Sequence, residues 1–162
     1  MTLLHAVARY DPPLTIVAKM IEICPELPSA LDSLGRTPLH VAAGMRASSA
    51  VIKLIADACP AACEAQDEDG KTPLHFACDS SCELFEDDAV NKPKSRATPN
   101  HDSIRALLSE SFHAATIEDM DDMNPLKYAI MNDASLDTVK ILQKAAAVTL
   151  LEPQSRSRSS RW

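Results

Sequence analysis

Glycine is nearly missing from this chain, with 3 in 162 residues. A Gly-rich phosphate cradle or a dinucleotide-binding turn cannot be assembled from so few. Aromatic residues are as scarce, at 4%. That disfavours a turn-rich β-barrel or sandwich, which draws on aromatic, β-branched and Gly-rich segments. No apolar run approaches a membrane span, and the opening MTLLHAVARY lacks the basic start and long apolar stretch of a secretory signal. Neither a nucleophile elbow nor a zinc-protease motif occurs. The 5 cysteines are an odd number, which does not suit a disulfide framework. Their apolar, helical surroundings fit reduced thiols in a cytoplasmic protein, with the nucleus left open.

What is present suits one domain or one short array of repeats. Apolar residues make up 46% and charged residues 24%, enough for a core of Leu, Ile, Val, Ala and Met. The net charge is −7, and every acidic residue lies within 1–152. The last ten residues hold Arg156, Arg158 and Arg161 and no acid. An acidic body lacks the basic face that phosphate binding needs, so nucleic acid is not an expected partner.

The chain repeats itself. Thr2-Leu3-Leu4-His5, Thr37-Pro38-Leu39-His40 and Thr72-Pro73-Leu74-His75 stand 35 residues apart, and Asn124-Pro125-Leu126-Lys127 follows after a further 35 plus an insertion of 17. Asp32-Ser33-Leu34-Gly35, Asp67-Glu68-Asp69-Gly70 and Asp119-Met120-Asp121-Asp122 precede the last three copies in register. Cys24-Pro25 and Cys59-Pro60 share the 35-residue spacing, and Val51–Ile55 returns as Thr138–Leu142. A fixed period of this length is the mark of a stacked-repeat architecture.

Each copy reads as two helices and a turn. Thr or Asn is a good N-cap, and Pro after it is pre-set for the first helical residue. First helices are expected at 3–9, 38–44, 73–80 and 125–131. Longer second helices are expected at about 14–24, 49–59, 102–112 and 135–147, where apolar residues such as Ile16, Val17, Met20, Ile21 and Cys24 recur at helical spacing. Pro25 and Pro60 should end two of them. Gly35 and Gly70 suit a turn residue of positive φ, a conformation Asp122 can still tolerate.

This pattern resembles the ankyrin repeat family. Thr-Pro-Leu-His followed by small residues (Val41-Ala42-Ala43, Phe76-Ala77-Cys78) and the preceding Asp-x-x-Gly carry the likeness over nearly all of 1–151, less the insertion. It implies an all-α ankyrin-repeat solenoid of helix–turn–helix units with projecting β-hairpin-like loops. The expected domain covers 1–152, in units of about 1–34, 35–69, 70–121 and 122–152, with a disordered tail at 153–162. In this family the motif His ties one unit to its neighbour, a role the resemblance implies for His5, His40 and His75 but not for Lys127. Departures from the pattern are the 35-residue period, against about 33, the Cys-Pro after the second helix, and the lack of Gly-His between the helices. The first copy also lacks a preceding hairpin, so its outer edge is expected to fray or to bind something.

The function implied is non-enzymatic recognition of another protein along a concave face, by a monomer without cofactor or metal. The resemblance places contact positions at Arg9 and Tyr10; at Ser33, Leu34, Arg36 and Met45; at Glu68, Asp69, Lys71, Asp79 and Ser80; and at Met120, Asp121, Met123, Met131 and Asn132. Acidic turns at 67–69 and 118–122 suggest a basic protein segment as partner. Alternatives from other classes are a zinc or catalytic site built from Cys59, Cys63, Cys78, Cys82 and His75, and a structural fragment with no partner of its own. Residues 79–100 read as a flexible insertion or a docking loop with Ser95 and Thr98-Pro99 as phosphorylation sites. Ser157 and Ser159 offer the same chemistry in the tail.

Overall fold

Extended backbone at Thr2, Thr37, Thr72 and Asn124 (φ −93, −85, −94 and −98°) turns directly into a short helix. These first helices are α1 (Leu3–Ala8), α3 (Pro38–Gly44), α5 (Pro73–Cys78) and α7 (Pro125–Met131). The longer second helices are α2 (Leu14–Ile23), α4 (Ser49–Ala58), α6 (His101–Glu110) and α8 (Leu136–Leu151). The structure is a computed structural model and describes residues 1–80, 84 and 98–151. The tail and most of the insertion, with Cys82, Ser95, Ser157 and Ser159, lie outside the described residues.

α2 and α4 stop one residue short of expectation because the residue before a proline is excluded from the α region. Cys24 and Cys59 open to φ −137 and −146° while their N–H groups still close the last turn onto Met20 O and Ile55 O. Ser111 adopts the same conformation, φ −148°, without a following proline, so α6 ends at Glu110 instead of 112. A 3-10 turn follows in each case: Leu27–Ser29, Pro60–Cys63 and His113–Thr116. α8 runs past the expected 147 to Leu151.

Between the two helices of a unit, the glycine typical of the family is replaced by residues that accept a left-handed turn: Asp11 (φ 45°), Arg46 (61°) and Asp133 (54°). The next N–H reaches five residues back, Ala47 to Ala42 O and Ala134 to Ala129 O, both at 2.9 Å. This is the Schellman closure of a helix C-terminus. The Arg46 guanidinium also donates to Thr98 O, tying the end of the insertion to the second unit.

Packing joins elements of the same unit or of successive units. First helices stack as α1–α3–α5–α7 and second helices as α2–α4–α6–α8. The core runs between the two rows. Leu4, Leu39 and Leu74 fill it from the first row, and Val17, Ile52, Ile55, Ile104, Leu107 and Leu142 from the second, all almost wholly inaccessible. Each leucine so buried contributes about 2 kcal/mol of transfer free energy. The stack ends are different. Leu3 and Ile23 on the first unit and Met131, Leu150 and Leu151 on the last remain largely exposed, as expected of units with a neighbour on one side only. No helix among the described residues is long and apolar enough to cross a membrane.

Candidate functional site: the turn tips and the cleft beneath them

The loops between units are tight turns, with no strand among the described residues. In each, an aspartate organises the backbone. Asp32 Oδ1 accepts from the N–H of Leu34 and Arg36 (2.9 and 3.0 Å), Asp67 Oδ1 from Asp69 and Lys71 (3.1 and 2.8 Å), and Asp119 Oδ1 from Asp121 and Met123 (2.9 and 2.9 Å). Gly35, Gly70 and Asp122 follow at φ 72, 76 and 55°, the left-handed position expected from the repeat. Successive tips are bonded to one another, Glu68 N–H to Leu34 O (3.1 Å) and Met120 N–H to Asp69 O (3.0 Å). The tips therefore form a ladder whose side chains project in a row.

The motif histidines fix the turns to the helices. His40 Nδ1 accepts the Thr37 N–H (3.0 Å), which forces the proton onto Nε2, and Nε2–H donates to Lys71 O of the next unit (3.0 Å). His5 does the same between Thr2 and Arg36 O, and His75 between Thr72 and Met123 O. The backward reach to the N-cap is a capping box with imidazole in place of carboxamide. Each ring is fully buried. Burial holds all three below the usual histidine range, His40 at about 4. The expected bridging role is thus present at all three positions. In the fourth unit Lys127 instead reaches back with Nζ to Asp122 O (2.5 Å).

The second oxygen of each turn aspartate distinguishes the units. Asp32 Oδ2 is gripped by Arg36 through Nε and Nη2 (2.9 and 2.8 Å), a pair almost closed to solvent. Burial alone would raise Asp32, but the Arg36 bonds outweigh it and hold the carboxyl below its ordinary value. Asp119 Oδ2 takes the Tyr128 hydroxyl (2.7 Å) and is likewise held low against its burial. Burial pushes Asp67 up, and the N–H bonds and nearby Lys71 do not offset it.

A cleft of about 310 Å³ opens under the second and third tips, lined by Leu34, Arg36, Asp67, Glu68, Asp69, Lys71, Phe76, Asp79 and Leu84. Within it Arg36 is held by Asp32 and Lys71 lies over the Tyr128 ring at 5.2 Å, and the tip itself carries three carboxylates, Asp67, Glu68 and Asp69. Six of the expected contact residues meet here: Leu34, Arg36, Glu68, Asp69, Lys71 and Asp79. The others spread along the stack. Ser33, Met120 and Asp121 stand exposed on neighbouring tips, and Met123 is half-buried with its carbonyl engaged by His75. Met45 is half-buried at the end of α3. Arg9 lies against the Tyr10 ring at the first edge, and Met131 is exposed at the last. Ser80 and Asn132 serve the scaffold, since Asn132 Oδ1 accepts from the Ser80 hydroxyl and N–H (2.6 and 3.2 Å).

Phe76 and Leu84 were not among the expected contacts. Phe76 stands where Val41 does in the preceding copy, and that gain of an aromatic ring was the available signal. Leu84 has no repeat counterpart, yet its side chain sits directly over Gly44, where an added Cβ would lie 2.5 Å from it. The Cys/His alternative finds its histidine occupied, because both nitrogens of His75 are hydrogen-bonded. The thiols of Cys63 and Cys78 are buried and pushed upward by burial, Cys63 to about 12, which disfavours the thiolate a metal needs.

Alternating helix rows, bridging histidines and laddered turn tips give this chain an ankyrin-repeat fold. Residues 20–77 match the family model described as ankyrin repeats (many copies). The chain is similar in fold to the crystal structure of the ankyrin repeat domain of Bcl-3, described as a unique member of the IkappaB protein family. The TM-score is 0.63 and the identity 21%, over 89% of this chain and 56% of that one. The present chain thus spans little more than half the length of that structure. No curated protein matches it.

Proposed function

We propose that the chain is a non-enzymatic protein-recognition module that grips a basic segment of a partner across the turn tips and the cleft beneath them. The observation that carries this reading is the cleft itself. It has an apolar wall of Leu34, Phe76 and Leu84 beside a tip that carries Asp67, Glu68 and Asp69. A lysine or arginine of the partner would find carboxylates there, and its methylene stem would find Phe76. The tips are braced by backbone ladders and histidine bridges, so little ordering opposes binding.

The test is affinity capture with the wild type beside Glu68→Lys/Asp69→Lys, two exposed tip residues whose side chains support no turn. Captured proteins should be enriched in Lys/Arg segments, dissociate as salt is raised, and be lost from the variant. A partner retained by the variant, or insensitive to salt, would overturn the reading. Substitution of Arg36 would not serve, since Arg36→Glu sets a second carboxylate against buried Asp32 and tests the fold.

A further inference from the structure

A second cleft lies on the opposite row of helices and has the reverse electrostatic character. α6 and α8 run side by side and parallel, joined by His101 Nδ1 to Thr138 Oγ1 (3.0 Å) near their starts and by the Thr149 hydroxyl to Phe112 O (3.4 Å) near their ends. The shallow, open channel between them measures about 310 Å³. Leu108 and Phe112 line one side and Ile141 and Val148 the other, with Arg105 and Lys144 at the rims.

The protein is acidic, and several of its cations are paired with carboxylates. Lys19 meets Glu22 (3.0 Å), Lys53 meets Glu110 and Asp57 (3.2 and 3.4 Å), Lys127 meets Glu118 (3.7 Å), and Arg36 meets Asp32 (2.8 Å). Arg105 and Lys144, like Lys140 on α8, are exposed and have no carboxylate or hydrogen-bond partner among the described residues. An apolar channel flanked on both banks by unpaired cations is therefore complementary to an apolar stripe bordered by carboxylates. Ile141 to Val148 on α8 spans two helical turns, about 10 Å. That length matches anchors at i, i+4 and i+7 of a docked helix. An acyl chain carries a single carboxylate and would use one bank only, and a basic segment would be repelled.

We infer that the α6–α8 channel is a docking site for an acidic amphipathic helix of a partner protein, separate from the turn-tip cleft. The two faces then select segments of opposite charge, and one stack can hold two partners at once.

The probe is a synthetic fluorescent helical peptide with leucines at i, i+4 and i+7 and glutamates on both flanks, together with its lysine-flanked counterpart. Anisotropy should show saturable binding of the glutamate peptide to the full chain, and amide shifts should map it to Leu108, Phe112 and Ile141. Arg105→Glu/Lys144→Glu should weaken the glutamate peptide at least tenfold and confer binding of the lysine peptide. An unchanged circular dichroism spectrum and urea midpoint would show that the variant folds. Absence of saturable binding, affinity unchanged in the variant, or shifts confined to the turn tips would overturn the proposal. So would laurate binding in the channel with no peptide binding. Glu68→Lys/Asp69→Lys should leave this peptide unaffected, which separates failure here from failure of the tip-cleft reading.

Discussion

Replacing His40 is the sharpest test of what holds the stack together. His40→Ala removes the acceptor of the buried Thr37 N–H and the donor to Lys71 O, each at 3.0 Å. It also removes a ring that meets Phe76 edge-on, with centroids 5.6 Å apart. A buried polar group left unpaired costs about 1–3 kcal/mol. With the cavity added, the variant should lose about 3–5 kcal/mol, read as a fall in urea midpoint. His40→Gln keeps an acceptor for Thr37 N–H in the capping-box position and gives up the bridge to Lys71, so it should lose about half as much. The pH arm has a definite sign. Native His40 titrates at about 4 because burial disfavours its charge, while the unfolded chain titrates near 6.5. The unfolded state binds the extra proton, so this contribution is complete above pH ~6.5 and lost as pH falls towards ~4, by about 3 kcal/mol. His5 and His75 act in the same direction. Urea melts at pH 7, 5.5 and 4.5 on wild type and His40→Gln should show a shallower decline in the variant. Equal declines, or a His40→Ala loss below about 1 kcal/mol, would refute the reasoning.

Three further outcomes follow from named contacts. Asp32→Ala strands the Arg36 guanidinium, 8% exposed, and two turn N–H groups, so it should cost about 3 kcal/mol or more in urea unfolding; a loss near zero would mean the pair contributes nothing. Gly70→Ala adds a Cβ at 3.0 Å from Met120 N at φ 76° and should lose about 2 kcal/mol, whereas Asp122→Gly at φ 55° should gain about 1 kcal/mol. A thiol reagent at pH 8 should label half-exposed Cys24 and Cys59 in the native protein but reach Cys63 and Cys78 only after unfolding; native labelling of Cys63 at the rate of Cys24, read by peptide mass, would contradict its burial.

The histidine bridges were legible because a 35-residue period put His at one place in three successive units, and a polar side chain repeated on an apolar helix must find a repeated partner. The turn aspartates were legible for the same reason. Arg36 has a role in its own turn that the repeat did not show. It shares its repeat position with Lys71, and the sequence does not say that one grips its own turn aspartate while the other leans on Tyr128 of the following unit. Leu84 was beyond reach, since a segment without a repeat counterpart has no register from which to infer its neighbours. The α6–α8 channel escaped because Arg105 and Lys144 belong to different units, and their lack of acidic neighbours is a property of space.

The sequence by itself determined the unit: where each helix starts, which residue caps it, where the chain turns left-handed, and which apolar face points inward. Those are local matters of dihedral preference and periodicity, settled within a few residues. Tertiary structure decided which oxygen of each turn aspartate is satisfied from within and which cations stay unpaired. It also decided which two clefts open, one acidic and one basic at the rim. The clefts depend on distances between residues dozens of positions apart, which only the stacking of one unit on the next sets, and the aspartate partners depend on how each side chain is directed once its turn has formed.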